Sequence, residues 1–133
     1  MKVSLAGIAL ENGRIFIARR LAGGDMGEKW EFPGGKAEDG ESYEAGLARE
    51  FMEEFGVSVR VGELLGESSF VHKEQSRRLY AYRIYFLEEN FTLTEHSEWR
   101  WVMPAEIKKL DFTPSDLSLL PYIEAICVAE SAP

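Results

Sequence analysis

The segment 42–55 constrains the fold most, because its pattern predicts one amphipathic α-helix with defined ends. Ser42 can cap the start of this helix, and Gly56 can end it in the left-handed conformation. At about 100° per residue, one side of the helix carries the residues expected to face the core. They are Ala45, Ala48, Phe51, Met52 and Phe55. Other elements must therefore cover this face.

The opposite side of the same helix is acidic. Glu50, Glu53 and Glu54 fall within an arc of about 100°. Gly46 lies one turn before Glu50, and a glycine inside a helix costs about 1 kcal/mol relative to alanine. We expect Gly46 to keep the surface low for an approaching ligand, and Arg49 to orient Glu53 through an i,i+4 ion pair.

The remaining segments predict strands and two further helical elements. Strands are expected at 3–10, 15–19, 30–32, 57–65, 67–73, 78–87 and 99–102. Asn12-Gly13 is typical of a hairpin turn, a helical turn is expected at 104–110, and a terminal helix bent at Pro121 at 115–130. This order predicts an α/β (α+β) fold, a mixed β-sheet sandwiched between α-helices, in a single domain spanning 1–133.

The composition limits the classes of partner that this protein can bind. The net charge of −8 disfavours a nucleic-acid polymer, and no apolar stretch approaches the roughly 20 residues of a membrane span. The N-terminal apolar run alternates like a strand, so we expect no signal peptide. Cys127 is the only cysteine, which fits a reducing, cytoplasmic compartment, and its apolar neighbours predict a buried side chain.

The acidic helix face allows two interpretations. Clustered carboxylates are the ligands that hard cations such as Mg2+ prefer, and such ions can bind phosphates and activate water. A spare glutamate could then take the proton from that water. The face could equally be a solvated surface, because like-charge neighbours on a helix cost only about 0.2–0.5 kcal/mol per pair.

The stretch that contains this helix resembles a known motif. Residues 35–57 match the Nudix box, G-x5-E-x7-R-E-U-x-E-E-x-G-U, at every fixed letter. Phe51 replaces the aliphatic residue at the first U, a packing variant on the core face. Segments 19–20, 30–36 and 112–116 resemble the MutT-like branch of nucleoside triphosphatases and its CTP-pyrophosphohydrolase relatives.

The resemblance implies a Nudix fold and a site for Mg2+, or Mn2+ in its place. Its ligands would be the Gly34 carbonyl, Glu50, Glu53, Glu54 and Glu95, with Glu54 the surest side chain. Glu50 is favoured as the general base over Glu53, and Glu95 is an alternative base. Arg49 would orient these catalytic groups together with Glu41. We expect no role for His72 or His96, which lack metal-ligand spacing.

Further residues are implied on the substrate side: Arg20, Glu31, Phe32, Gly35, Lys36 and Asp116. Arg20 would contact phosphates, and Asp116 would contact the base. An ionised Asp116 only accepts hydrogen bonds, which favours an amino group of cytosine or adenine, or the N7–H of 8-oxoguanine. The alternative is that Asp116 caps the terminal helix.

The implied reaction is hydrolysis of a nucleoside triphosphate to a monophosphate and pyrophosphate, which would cleanse the nucleotide pool of unwanted species. The expected substrate is (d)CTP-like or an oxidised purine triphosphate such as 8-oxo-dGTP. One alternative is hydrolysis of another nucleoside diphosphate linked to X, such as an ADP-sugar or a dinucleoside polyphosphate. Another is a non-catalytic nucleotide-binding module, against which the intact glutamates argue. We expect a small nucleotide as partner, no nucleic-acid polymer, no membrane, and a monomer or homodimer.

Overall fold

The computed structural model describes residues 2–131, which form two four-stranded sheets and four helices. In the first sheet the order is β5-β1-β7-β6, with β1 and β7 parallel and the other neighbours antiparallel. Its strands are β1 Lys2–Ile8, β5 Gly34–Lys36, β6 Val59–His72 and β7 Gln75–Phe86. The prediction of a mixed sheet is therefore confirmed.

The second sheet is antiparallel and centred on β3, which pairs with β2, β4 and β8. Its strands are β2 Leu10–Glu11, β3 Arg14–Arg20, β4 Trp30–Glu31 and β8 His96–Val102. Asn12 and Gly13 have φ values of 53° and 76°, as the hairpin turn requires. The helices are α1 Tyr43–Phe55, α2 Pro104–Ile107, α3 Pro114–Leu117 and α4 Leu120–Ser131.

Neighbouring residues of β3 point to two different cores, because side chains of a strand alternate between the two faces of the sheet. In β3, Ile15 and Ile17 pack in a core that includes Ile123 of α4, whereas Phe16 packs with Phe55 of α1. The sheets are thus covered by α1 on one face and by α4 on the other, as the sandwich prediction requires. No helix in the described range 2–131 is long and apolar enough to cross a membrane.

Helix α1 has the predicted ends. The Ser42 hydroxyl accepts a hydrogen bond from the Ala45 amide at 3.1 Å, and Gly56 is left-handed with φ 67°. The predicted core face is wrong in part, because Met52 is 48% exposed and Ala45 is exposed. The buried stripe instead follows Leu47, Phe51 and Phe55, so it is rotated away from Met52.

Gly46 also has a different role from the predicted one. It is buried, and a Cβ atom added there would lie 2.7 Å from Oε1 of Glu41. Gly46 therefore makes room for the Glu41 side chain rather than for a ligand.

Predictions for the terminal helix, for the strands after α1 and for Cys127 differ from the structure. The terminal helix is broken between α3 and α4 rather than bent at Pro121, which lies in the first turn of α4, where its missing N–H costs nothing. The segments predicted as two strands at 57–65 and 67–73 form one strand, β6, with register shifts around Leu64. Cys127 is half-buried against the core of α4, so its predicted burial is only partial.

Candidate active site

The acidic face of α1 borders a cleft of about 480 Å³. The structure places all five residues predicted as metal ligands around it: Gly34, Glu50, Glu53, Glu54 and Glu95. Glu95 reaches the cleft because its loop is fastened to the end of α1. The Thr94 amide donates to the Glu54 carbonyl at 3.2 Å, and the Thr94 hydroxyl donates to the Glu53 carbonyl at 2.9 Å.

The three helix glutamates differ in their contact with solvent. The Glu53 side chain is 58% exposed, whereas those of Glu50 and Glu54 are 14% and 10% exposed. Burial, followed by the hydrogen bond and charge of Glu50 and the charges of Glu31 and Glu95, raises the pKa of Glu54 to about 10. The clustering and burial of these carboxylates therefore favour the protonated form of Glu54.

Arg49 lies beside this cleft and holds its carboxylates in place. Its guanidinium donates to both oxygens of Glu41, at 2.8 and 3.2 Å, and to Glu50 at 3.0 Å. The predicted i,i+4 pair with Glu53 is also present, at 3.1 Å. The hydrogen bond from Arg49 lowers the pKa of Glu41, so Glu41 stays ionised and orients Arg49 in turn.

Two glycines bring strand β5 close to the helix. A Cβ atom on Gly35 would lie 2.6 Å from both carboxylate oxygens of Glu50. A Cβ atom on Gly34 would overlap the backbone of Leu5 on the neighbouring strand β1. Only glycine therefore lets the Glu50 carboxylate lie against the strand whose Gly34 borders the same cleft.

Sequence reasoning missed His96, which the fold brings into the cleft wall. Its Nε2 lies 2.8 Å from Glu31 Oε2 and 3.9 Å from Glu54 Oε1, and its ring stacks on Phe55 at 5.0 Å. The potential ligand atoms of Glu31, Glu54 and His96 all lie within 4.8 Å of one another. The pairing of β3 with β8 creates this contact by setting His96 opposite Arg20, and no local sequence pattern marks it.

A second cavity, of about 430 Å³, adjoins the acidic cleft. All six residues predicted to bind substrate line it: Arg20, Glu31, Phe32, Gly35, Lys36 and Asp116. Arg20, Glu31 and Gly34 border both spaces, and Arg20 pairs with Glu31 at 3.1 Å. The two spaces therefore share one wall.

Asp116 lies in the wall of the second cavity and is only 7% exposed. Its Oδ2 accepts a hydrogen bond from the Phe32 amide at 2.9 Å, while the Phe32 ring packs on Phe112 in the core. The helix-cap alternative is wrong, because Asp116 lies inside α3 and α4 begins at Leu120. Burial, and then the charge of Glu31, raises the pKa of Asp116 to about 7.

Comparison with known proteins agrees with this architecture. The NUDIX domain family model matches residues 1–123. The chain therefore belongs to the Nudix family, and it is a hydrolase that acts on phosphoanhydride bonds. Its relatives confirm the resemblance to the MutT-like and CTP-pyrophosphohydrolase-like branch.

Two curated relatives illustrate that branch. The CTP pyrophosphohydrolase of Escherichia coli is 31% identical over 128 residues, which cover 96% of this chain and 95% of the relative. The 8-oxo-dGTP diphosphatase of Haemophilus influenzae is 31% identical over 121 residues, which cover 90% and 88%.

Solved structures give the same result. The solution structure of the E. coli ORF135 protein superposes with a TM-score of 0.87 at 31% identity, covering 100% of this chain and 95% of that one. The crystal structure of a MutT protein from Methanosarcina mazei gives a TM-score of 0.81 at 25% identity, covering 99% and 96%.

Proposed function

We propose that this Nudix hydrolase is an Mg2+-dependent nucleoside triphosphate pyrophosphohydrolase that releases a nucleoside monophosphate and pyrophosphate. The observation that carries the proposal is the shared wall of Arg20, Glu31 and Gly34 between the acidic cleft and the partly apolar second cavity, which is called the nucleotide cavity below. A nucleotide has two parts that match these two spaces. Its polyphosphate needs cations, and its base needs apolar contacts with a few polar groups.

The donor atoms of the cleft fit a hard divalent cation. The predicted ligands supply carboxylate oxygens and a backbone carbonyl, which Mg2+ prefers, and the His96 imidazole in the cleft wall adds a nitrogen that Mn2+ also accepts. The high pKa of Glu54, which burial and three neighbouring carboxylates cause, is the behaviour expected of an anionic site that a cation completes. The Gly34 carbonyl, Glu50, Glu53, Glu54 and Glu95 would hold it. A bound cation would neutralise phosphate charge and acidify a water molecule.

Glu50 is the proposed general base. The hydrogen bond from Arg49 and the close contact with Gly35 fix its carboxylate. Glu53 is more exposed and is the second candidate. Glu50 accepts a proton from the attacking water, the new P–O bond forms at one phosphorus, and the phosphoanhydride bond to pyrophosphate breaks. Arg20 can exchange its contact with Glu31 for a substrate phosphate, because its side chain is 45% exposed.

Asp116 is the proposed contact for the base. In its ionised form it accepts a hydrogen bond from the amino group of cytosine or from the N7–H of 8-oxoguanine. The names of the relatives support both substrate classes, since one is a CTP pyrophosphohydrolase and another an 8-oxo-dGTP diphosphatase. We therefore propose (d)CTP-like or oxidised purine triphosphates as substrates and cleansing of the nucleotide pool as the role.

A product assay tests the proposal. The protein is incubated with Mg2+ and a panel of dCTP, CTP, 8-oxo-dGTP, dATP, an ADP-sugar and a dinucleoside polyphosphate, and pyrophosphate is resolved from orthophosphate. We expect pyrophosphate from dCTP or 8-oxo-dGTP, and no product when EDTA replaces Mg2+. Release of orthophosphate alone, or turnover restricted to the last two compounds, would show that the proposed reaction is wrong.

A further inference from the structure

His96 is a polar residue that the fold holds firmly in the wall of the acidic cleft. Its side chain is only 1% exposed. Its ring stacks on Phe55 at the end of α1, with 5.0 Å between the ring centroids and 17° between the ring planes. The pairing of β8 with β3 sets its backbone opposite Arg20. Packing and strand pairing therefore leave the imidazole little freedom to turn.

One nitrogen of this ring makes a hydrogen bond, and the other makes none. Nε2 lies 2.8 Å from Oε2 of Glu31. An ionised carboxylate only accepts hydrogen bonds, so Nε2 carries the hydrogen and donates it. Nδ1 is shielded from solvent and has no partner within the described residues 2–131. Buried polar side chains nearly always have a partner, and in this part of the chain Glu31 supplies it.

The Glu31 carboxylate has one buried partner and one exposed partner. Its neighbours Trp30 and Phe32 pack in the same core, so Glu31 points the other way, into the shared wall. Its Oε2 accepts from His96 at 2.8 Å, and its Oε1 accepts from Arg20 at 3.1 Å. The Arg20 side chain is 45% exposed. His96 is therefore the fixed support of this carboxylate, and Arg20 is the partner that can change its contact.

We propose that His96 is a positioning residue for substrate binding, which donates to Glu31 and so fixes the carboxylate that orients Arg20 toward the substrate phosphates. This inference rests on the proposed function, in which Arg20 contacts those phosphates. An arginine that is ordered before the substrate arrives loses less conformational freedom on binding, and this preorganisation increases affinity. Removal of the His96 donor should therefore weaken substrate binding more than it slows the chemical step.

Two substitutions of similar size separate the hydrogen-bond donor from the bulk of the ring. His96→Leu removes the donor, whereas His96→Gln keeps an N–H group near the position of Nε2. For dCTP or 8-oxo-dGTP, whichever the wild type hydrolyses, His96→Leu should raise KM roughly 5- to 20-fold and change kcat less than about threefold. His96→Gln should recover most of this loss. The control Ser97→Ala, at the exposed next position, should leave both constants near wild type.

A double-mutant cycle tests whether the effect passes through Glu31. In the Glu31→Leu background the acceptor is absent, so adding His96→Leu should change KM less than about twofold. An undiminished change of KM in that background would show that His96 acts by another route, and it would refute the positioning role.

A crystal structure of the metal-free His96→Leu variant separates this inference from the proposed reaction, because it requires neither substrate nor turnover. We expect the Glu31 carboxylate to leave its position and to lose its contact with Arg20, while both features remain in His96→Gln. His96→Phe keeps the stack on Phe55 without the donor and serves if the leucine variant does not fold.

The two possible failures have different signatures. If the wild type hydrolyses none of the triphosphates, the proposed function is wrong, and the crystal structures still decide whether His96 positions Glu31. An unmoved Glu31 carboxylate in the variants without a donor, or equal changes of KM in His96→Leu and His96→Gln, would refute the role of His96.

Discussion

Replacing Asp116 by asparagine should stabilise the protein at neutral and alkaline pH. The pKa of Asp116 rises from its ordinary 3.8 to about 7 because of burial, so folding penalises the ionised carboxylate. Asparagine keeps an oxygen that can accept the hydrogen bond of the Phe32 amide, which Asp116 now accepts at 2.9 Å. The substitution therefore removes a buried charge and retains the hydrogen bond that positions the side chain.

The size and sign of the effect follow from the two pKa values. Because the folded pKa is the higher one, the favourable contribution of Asp116 is complete below about pH 4 and is lost as the pH rises to about 7. Three pH units correspond to roughly 4 kcal/mol as an upper limit. Relaxation around the charge reduces this value, so we expect the free energy of unfolding of the variant to gain about 2 kcal/mol relative to wild type between pH 4.5 and 8.

Urea unfolding of both proteins in EDTA, at several pH values from 4.5 to 9, measures this difference. The Asp25→Asn variant is the matched control, since it makes the same substitution at an exposed position. A difference between Asp116→Asn and wild type that stays constant over this range would refute the burial of a titrating carboxylate.

Three further predictions concern activity. Glu54→Gln should lower kcat with Mg2+ by roughly 10²- to 10³-fold without lowering the thermal midpoint of the metal-free protein. The control Glu44→Gln, at the exposed start of the helix, should retain activity. Equal rates for both variants would contradict the role of Glu54. Gly35→Ala should displace the Glu50 carboxylate, so kcat for dCTP should fall while KM changes little. An unchanged kcat would show that the contact between Gly35 and Glu50 does not matter for catalysis. Asp116→Asn should change the ratio of kcat/KM between dCTP and 8-oxo-dGTP more than it changes the faster rate, and equal loss on all nucleotides would argue against base recognition.

The local parts of this fold could be predicted from the sequence. Helix α1 and both of its ends depend on residues within one or two turns, namely Ser42, Ala45 and Gly56, so their chemistry is visible in the chain. The side of the helix that is buried depends on which strands cover it. The packing against β1, β5 and β6 selects Leu47, Phe51 and Phe55 and leaves Met52 exposed, and a helical period alone cannot determine this.

The residues of the site also include some that the sequence predicts and some that it does not. The three glutamates of α1 share a turn-to-turn spacing that the sequence displays, and the structure places them around one cleft. His96 reaches its position through strand pairing with a distant segment, because β8 sets it opposite Arg20 of β3.

The shared wall of Arg20, Glu31 and Gly34 limits how this enzyme can evolve. Because these residues border both the acidic cleft and the nucleotide cavity, a substitution among them alters the lining of both spaces at once. Residues on the far side, such as Phe70, border only the nucleotide cavity. Descendants with new base preferences should therefore carry their changes there, while the partition between the two spaces stays invariant.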